Sequence, residues 1–172
     1  MEGRGRLAGN LTRKAEVRTQ SREASSAGLD RVKEAARRDR QMRFTSLLHH
    51  VTPEALERSF RRQRRSAAAG VDGTTVAEYE QGLDSRLRDL HRRVHTGAYR
   101  PHPVKRVFIP KADGGRRPLG IPALEDKIVQ GAIAEVLNAV YEVDFLGFSY
   151  GFRRGRSPHD ALDALHTAMM TQ

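Results

Sequence analysis

Two cations on either side of a glycine turn are the residues whose types and spacing could do chemistry. Lys111 ends an apolar and basic stretch, Asp113-Gly114-Gly115 supplies a tight turn, and Arg117 lies in the returning stretch. Lysine offers a point charge and arginine a planar fork of donors, and both suit phosphate oxygens. The pattern fits an anion site for a group such as a triphosphate. A basic solvent-facing hairpin, whose charges only prevent edge pairing, fits it equally well.

Further basic residues are candidates for contact with a nucleic-acid backbone. They lie after the first predicted helix, in the hairpin and in a late loop, and they are Arg61, Arg62, Arg64, Arg65, Lys105, Arg106, Arg153, Arg154 and Arg156. Clusters of this kind bind phosphates in RNA and DNA. For the first four, a solvated helix end is the simpler alternative.

Other combinations of reactive residues carry less weight. His49 and His50 are adjacent, so we expect them to point apart without the spacing of metal ligands. Ser157, His159 and Asp160 are the residue types of a hydrolytic triad, but they share one helix start, where capping explains the serine and the aspartate. The glycine pair in the turn lacks the Gly-Lys-Ser/Thr pattern of a phosphate loop. We therefore predict no catalytic residue and no metal ligand.

The composition points to a polyanionic partner. The 172 residues include 31 Lys and Arg against 21 Asp and Glu, a net charge of +10, which is typical of proteins that bind nucleic acid. Residues 1–65 carry a net +9 and residues 100–117 a net +5. Cysteine is absent, which excludes disulfide scaffolds and Cys-based zinc sites and fits a reducing compartment. No apolar run approaches the roughly 18 residues of a membrane span, so we expect no membrane-spanning segment.

The elements that position these residues follow from local patterns. We expect a basic, disordered tail over residues 1–43 and an ordered α+β region over residues 44–172. Thr52 and Pro53 predict a helix start, and Thr75 with Glu78 predicts a capping box that opens one long helix over residues 76–94. We expect Gly97 to end that helix.

The second half of the chain predicts a hairpin between helices. Residues 104–110 and 116–121 read as two antiparallel strands, with helices expected to pack around them. Residues 124–140 predict a helix whose broad apolar face is buried on more than one side. Ser157 and Asp160 start a last helix, whose apolar side is Leu162, Leu165 and Met169.

Three blocks of sequence occur in order along residues 47–165. They are Ala69-Gly70-Val71-Asp72-Gly73; residues 99–111, which end in Ile109-Pro110-Lys111, with Arg117-Pro118-Leu119-Gly120-Ile121-Pro122 and residues 126–130; and residues 148–162, which include Gly151-Phe152-Arg153. In this order and at these lengths the blocks resemble the start of group II intron-encoded reverse transcriptases, the maturase-type proteins.

The resemblance implies the fingers and the first edge of the palm of a right-hand polymerase. It implies that Lys111 and Arg117 contact the triphosphate of the incoming dNTP, that the region of Gly70 touches template RNA, and that the block around Arg153 lines the template side. The implied partners are intron or template RNA, primer DNA and dNTP, with no membrane. The implied location is the cytoplasm of a bacterial-type cell, in association with the nucleoid.

One departure from the family pattern limits this expectation. Polymerase chemistry needs carboxylates that hold two divalent ions, and the family supplies them from an Asp beyond the third block and a later Asp-Asp pair. This chain has neither, so we expect Mg²⁺ only in a complete polymerase, no cofactor in this chain, and no activity of the chain alone. Two alternatives stay open at this point: a stand-alone RNA-binding module, and a truncated gene relic whose last helix exposes its apolar side.

Overall fold

The computed structural model describes residues 27–153 and 155–171, and it has the predicted α+β class. Within those residues there are six α-helices and one two-stranded antiparallel sheet. The elements are α1 (27–38), α2 (Pro53–Arg61), α3 (Val76–Glu80), α4 (Leu83–His95), β1 (Lys105–Pro110), β2 (Arg116–Ile121), α5 (Leu124–Tyr141) and α6 (Pro158–Met170), with a 3₁₀ turn at Leu48–His50. In the part of the chain that the structure describes, no helix is long and apolar enough to cross a membrane.

Helix α1 lies inside the segment that was expected to be a tail. Val32 and Ala36 are buried, and Leu29 packs against the main core. These three residues recur at spacings of three and four, which places them on one face of a helix despite the basic composition around them. Ordered structure therefore begins before residue 44. Residues 1–26 lie outside the described residues, and for them the tail stays a prediction.

The core lies where α2 packs against α4 and α5. The predicted start of α2 is confirmed, because the backbone N–H of Ala55 donates to the hydroxyl of Thr52 at 3.2 Å and Pro53 takes the first helical position. Leu56 and Phe60 share the buried face of α2. Burial of such side chains stabilises the fold by about 2 kcal/mol each.

Helices α2 and α5 approach each other closely at Gly131. A Cβ atom added at Gly131 would lie 2.2 Å from the hydroxyl oxygen of Ser59, so a larger residue there would require this side chain to move. The Ser59 hydroxyl is buried and has no hydrogen-bond partner among the described residues. The close approach brings the charged side chains of both helices within reach of one another.

The prediction of one long helix over residues 76–94 is wrong, because the structure has two. Helix α3 ends at Glu80 and α4 begins at Leu83, with Gly82 between them in the left-handed conformation (φ 77°). The capping box of Thr75 and Glu78 is confirmed. The apolar spacing runs across the break because both helices face the same core, and spacing does not report backbone dihedral angles.

The hairpin has the predicted strands and turn but projects from the helices. Ile109 pairs with Arg117 and Lys105 with Ile121. The turn is closed by the N–H of Lys111, which donates to the carbonyl of Gly115 at 2.8 Å, while Gly114 adopts a φ of 79°. Most residues of both strands are exposed. The helices pack mainly on one another, with the hairpin beside them, which agrees with the expected combination of helices and a small antiparallel sheet.

Helix α5 buries one face, so the prediction of burial on more than one side is wrong. Ile128 and Ala132 are fully buried, whereas Ile133 and Leu137 are 38% and 43% exposed. Helix α6 begins with the predicted capping box of Ser157 and Asp160 but has no buried residue within its bounds. Its apolar side chains are exposed: Leu162, Leu165 and Met169.

Candidate nucleic-acid interface

The hairpin divides its cations between its two faces. Successive residues of a strand point to opposite faces, so the register fixes which side chains are neighbours. Arg117 lies opposite Ile109, and Lys111 is bonded through its backbone to Gly115, two residues before Arg117. Lys111 and Arg117 therefore lie diagonally on one face near the turn, with Lys105 further along it. Arg106 and Arg116 lie on the other face.

None of these five hairpin cations is neutralised within the described residues. All five are exposed, and none makes an ion pair or a side-chain hydrogen bond to another residue in that part of the chain. The one carboxylate of the turn, Asp113, accepts a hydrogen bond from the N–H of Gly115 at 2.9 Å. The hairpin is thus a concentrated positive surface without internal counter-ions, which favours binding of an external anion.

The arginines after α2 are arranged differently, because three of the four pair with glutamates. Arg62 bonds to Glu135 of α5 at 2.9 Å, while Arg61 and Arg65 both bond to Glu80 of α3, at 3.2 and 3.1 Å. Arg61 also pairs with Glu57 at 3.5 Å. Arg64 is exposed. These pairs connect helices, and a role of Arg61, Arg62, Arg64 and Arg65 in RNA binding stays a prediction.

Arg153 holds the loop between α5 and α6 together. Its side chain is only 7% exposed, it pairs with Glu142 at 2.5 Å, and it donates to the carbonyls of Leu146 and Ser149. The hydrogen bond from Arg153 also lowers the pKa of Glu142. Because these internal partners occupy most donors of the guanidinium, few N–H groups of Arg153 remain for an RNA phosphate. Arg153 therefore has a structural role here, and its predicted RNA contact has not been tested.

Two further arginines lie in this loop, Arg154 and Arg156. Arg156 donates to the carbonyl of Gly147 at 3.0 Å, and its guanidinium lies 5.1 Å from the ring centre of Tyr150. It stays exposed, so one side of its guanidinium is open to solvent. Arg154 lies outside the described residues, and its predicted RNA contact stays a prediction.

Gly70 packs the loop before α3 against the start of α5. It is buried, and a Cβ atom there would lie 2.5 Å from the Cα of Ala123 and 2.8 Å from the carbonyl oxygen of Pro122. The ammonium of Lys127 donates to the carbonyl of Ala68 at 2.9 Å and fixes the same loop. The structure gives Gly70 a packing role, and its predicted contact with RNA stays a prediction.

The first turn of α5 anchors the base of the hairpin. Glu125 accepts from the hydroxyl of Tyr79 at 3.0 Å and from Arg93 at 2.9 and 2.8 Å. Asp126, which is buried, accepts from the hydroxyl of Tyr99 and from the backbone N–H of His102 at 3.1 Å. Burial, followed by the contact with Asp126, raises the pKa of Tyr99. Both ends of the hairpin are thus fixed at the start of α5, while the residues of its turn are exposed.

Most carboxylates after Gly120 are bonded to other groups within the fold. In residues 27–153 and 155–171 there is no group of three or more His, Asp or Glu that could hold a metal ion. Five of the seven carboxylates after Gly120 already have partners in the structure: Glu125, Asp126, Glu135, Glu142 and Asp160.

The histidines depart from expectation in one respect. The ring centres of His49 and His50 lie 3.9 Å apart, so the expectation that they point apart is wrong. They lie in the 3₁₀ turn, where consecutive side chains diverge less than in an extended strand. Burial lowers the pKa of His50, which favours its neutral form.

Sequence reasoning missed two exposed residues of the hairpin. Phe108 is 59% exposed, and Arg116 carries one of the unpaired charges. Both lie on the face opposite Lys111 and Arg117. The alternation of residues along each strand was a signal that could have separated the two faces.

The comparisons with known proteins place this α+β chain beside proteins encoded in introns. No family model matches the chain. Protein YkfC of Escherichia coli K12 is 41% identical over 128 residues, 72% of this chain and 34% of that protein. Group II intron-encoded protein LtrA of Lactococcus lactis is 28% identical over 139 residues, 80% of this chain and 23% of that protein. An uncharacterized 91 kDa protein in cob intron of Schizosaccharomyces pombe is 49% identical over 65 residues, 38% of this chain and 8% of that protein.

These relatives confirm the resemblance found in the sequence. The chain is related to part of the group II intron-encoded reverse transcriptase and maturase family. It spans about a third or less of the length of these curated relatives. They do not favour the alternative of a stand-alone RNA-binding module.

Proposed function

We propose that this chain forms the fingers and the first edge of the palm of a group II intron-type RNA-directed DNA polymerase, where it binds template RNA and the triphosphate of the incoming dNTP. The observation that carries the proposal is the placement of Lys111 and Arg117. They lie on one face of the hairpin near its turn, and neither is neutralised within the described residues.

The geometry of the hairpin suits a triphosphate. Diagonal neighbours of an antiparallel pair lie roughly 7 Å apart, a gap that two long side chains close around one phosphate group. The turn leaves open space at Gly114, where a Cβ would have no neighbour within 4 Å. The arginine fork fixes the direction of the phosphate oxygens and the lysine adds charge. Anchoring at Tyr99 and Asp126 keeps the pair in place relative to the helices.

Triphosphate binding by the purified chain tests the two cations. We expect Lys111→Ala and Arg117→Ala each to weaken dNTP binding about tenfold, since a hydrogen bond to a charged group contributes about 1.5–3 kcal/mol. Equilibrium dialysis with a labelled dNTP measures the affinity. The matched control is Arg88→Ala, which removes the same charge from an exposed pair on α4. Equal affinities of all four proteins, or no binding by the unaltered chain, would contradict the proposal.

We also propose that the chain alone does not extend a primer, since these residues include no counterpart of the Asp-Asp pair with which the family holds divalent ions. Primer extension on an RNA template with magnesium measures this, and we expect product at the level of a reaction without protein. Product that rises with protein concentration and disappears with EDTA would overturn the statement.

Primer DNA and location belong to the same proposal. As part of a polymerase the chain meets primer DNA through the template to which the primer is paired. The lack of cysteine agrees with a reducing compartment such as the cytoplasm of a bacterial-type cell, near the nucleoid.

A further inference from the structure

The hairpin has a second face that the triphosphate site does not use. We call it the outer face. Its members alternate with those of the face that carries Lys111 and Arg117, and they are Val104, Arg106, Phe108, Pro110, Arg116, Pro118 and Gly120. Phe108 lies directly opposite Pro118, and Arg116 lies opposite Pro110.

The outer face is an exposed apolar strip. All seven members are exposed, with Phe108 at 59% and Val104 at 57%. A Cβ at Gly120 would meet a methyl group of Val104 at 3.1 Å, so Val104 lies over Gly120 and extends the strip beyond the ladder. Among the described residues, no helix packs closely on the hairpin, and the strip stays exposed. An aromatic ring this exposed, with a flat proline surface beside it, is open to a planar partner.

The charges on the outer face point to the nature of that partner. Arg106 and Arg116 flank Phe108, and neither pairs with a carboxylate in the part of the chain described by the structure. Neither strand contains an acidic residue. Arginines elsewhere in the fold, such as Arg58 and Arg93, do have glutamate partners. The outer face therefore complements an anion that comes from outside the chain.

We propose that the outer face binds a segment of single-stranded RNA, with one base stacked on Phe108 and the adjoining phosphates held by Arg106 and Arg116. Aromatic rings between unpaired cations are how proteins bind single strands without sequence preference, since every base has a flat face and every linkage a phosphate. A single strand of RNA supplies both a flat base for Phe108 and phosphates for Arg106 and Arg116, which no carboxylate of the described residues neutralises. This inference goes beyond the triphosphate site, uses the opposite face of the hairpin, and does not need Lys111 or Arg117.

Tryptophan fluorescence tests the stacking directly. The chain contains no tryptophan, so Phe108→Trp introduces a single reporter on the outer face. We expect a 12-nucleotide oligo(U) RNA to quench this reporter, whereas an abasic strand of the same length binds through its phosphates and leaves the fluorescence unchanged. The matched control is Leu119→Trp, whose position is 45% exposed on the opposite face. Quenching of Trp at 119 with none at 108 would overturn the inference.

Affinity measurements complete the test. We expect Phe108→Ala to weaken oligo(U) binding about tenfold, as for loss of one base–aromatic stack. The double variant Arg106→Ala/Arg116→Ala should reduce the slope of log affinity against log salt by about 1.4, the value for two single-strand phosphate contacts. Thermal melts by circular dichroism should be unchanged, because these side chains are exposed. Unaltered RNA binding by both variants would overturn the inference, and an RNA-independent protein contact would then be the remaining use of this face.

The RNA-binding outer face and the triphosphate site of the proposed function fail separately. Phe108→Ala should bind dNTP as the unaltered chain does, and Lys111→Ala should still show quenching when combined with Phe108→Trp. Loss of dNTP binding without loss of quenching removes only the triphosphate site. The reverse result removes only the RNA-binding outer face.

Discussion

Replacement of Gly70 by alanine is expected to lower the free energy of unfolding by about 3 kcal/mol, the upper end of the usual cost of overpacking. The added Cβ would lie 2.5 Å from the Cα of Ala123 and 2.7 Å from its backbone nitrogen. Neither atom can move away by a side-chain rotation, so the loop must separate from the start of α5. Urea denaturation followed by circular dichroism measures the loss.

The matched control for Gly70→Ala is Gly147→Ala. A Cβ at Gly147 has no neighbour within 4 Å, and its φ lies outside the left-handed region, so we expect a change within about 0.5 kcal/mol. The pair of variants also separates the two roles suggested for Gly70. If Gly70→Ala kept full stability but lost RNA affinity, the packing role would be wrong and the RNA contact implied by the resemblance would be supported.

Replacement of Glu135 by glutamine is the second large effect that we expect, a loss of about 2 kcal/mol of folding free energy, which lies between the costs for exposed and for buried ion pairs. The carboxylate of Glu135 forms ion pairs with the guanidinium groups of Arg58 at 2.6 Å and Arg62 at 2.9 Å, and the Glu135 side chain is 18% exposed. Glutamine keeps the size but removes the charge, so Arg58 of α2 and Arg62, which directly follows α2, lose this counter-ion on α5. Chemical denaturation at pH 7 measures the difference.

Glu80→Gln is the matched control for Glu135. Glu80 also bridges two arginines, but Arg61 and Arg65 are 55% and 81% exposed, so solvent screens the pairs. We expect a loss of less than about 1 kcal/mol. Equal losses in the two glutamine variants would show that burial at the contact between α2 and α5 adds nothing.

The same group predicts how stability depends on pH. Burial raises the pKa of Glu135, but hydrogen bonds from Arg58 and Arg62 outweigh it and leave the pKa below its ordinary value of 4.5. A lowered pKa means that the folded chain binds a proton less readily than the unfolded chain. The contribution of Glu135 is therefore complete above pH 4.5 and decreases as the pH falls through the folded pKa. This acid-dependent step should be smaller in Glu135→Gln.

Local chemistry was readable from the sequence wherever one residue acts on its near neighbours. Thr52, Ser157 and the pair of Thr75 and Glu78 cap the helices that they were predicted to cap. The bounds of β2 were predicted as observed, because the turn at residues 113–115 fixes the register of a short hairpin. The break at Gly82 was missed, because apolar spacing reports a common face and not a change of backbone direction.

The sequence predicted only part of the candidate site. The types and spacing of Lys111 and Arg117 predicted a pair of cations near a hairpin turn, and the register places them on one face. The sequence did not show which of the other basic side chains form ion pairs within the fold. Arg61, Arg62 and Arg65 lie next to one another in sequence, but their partners Glu80 and Glu135 are 15 to 73 residues away. Composition alone made them look as available as the hairpin residues.

The sequence by itself determined the helix caps, the hairpin, the positive charge and the relationship to group II intron-encoded proteins, since each depends on residues that are near one another or on their order along the chain. The tertiary structure alone decided which charged side chains form ion pairs within the fold and which face the solvent. The packing of α2 against α5 brings carboxylates to the arginines of the helices, whereas among the described residues no helix packs closely enough on the hairpin to do the same for its cations. An ion pair between distant residues exists only when a fold brings its partners together.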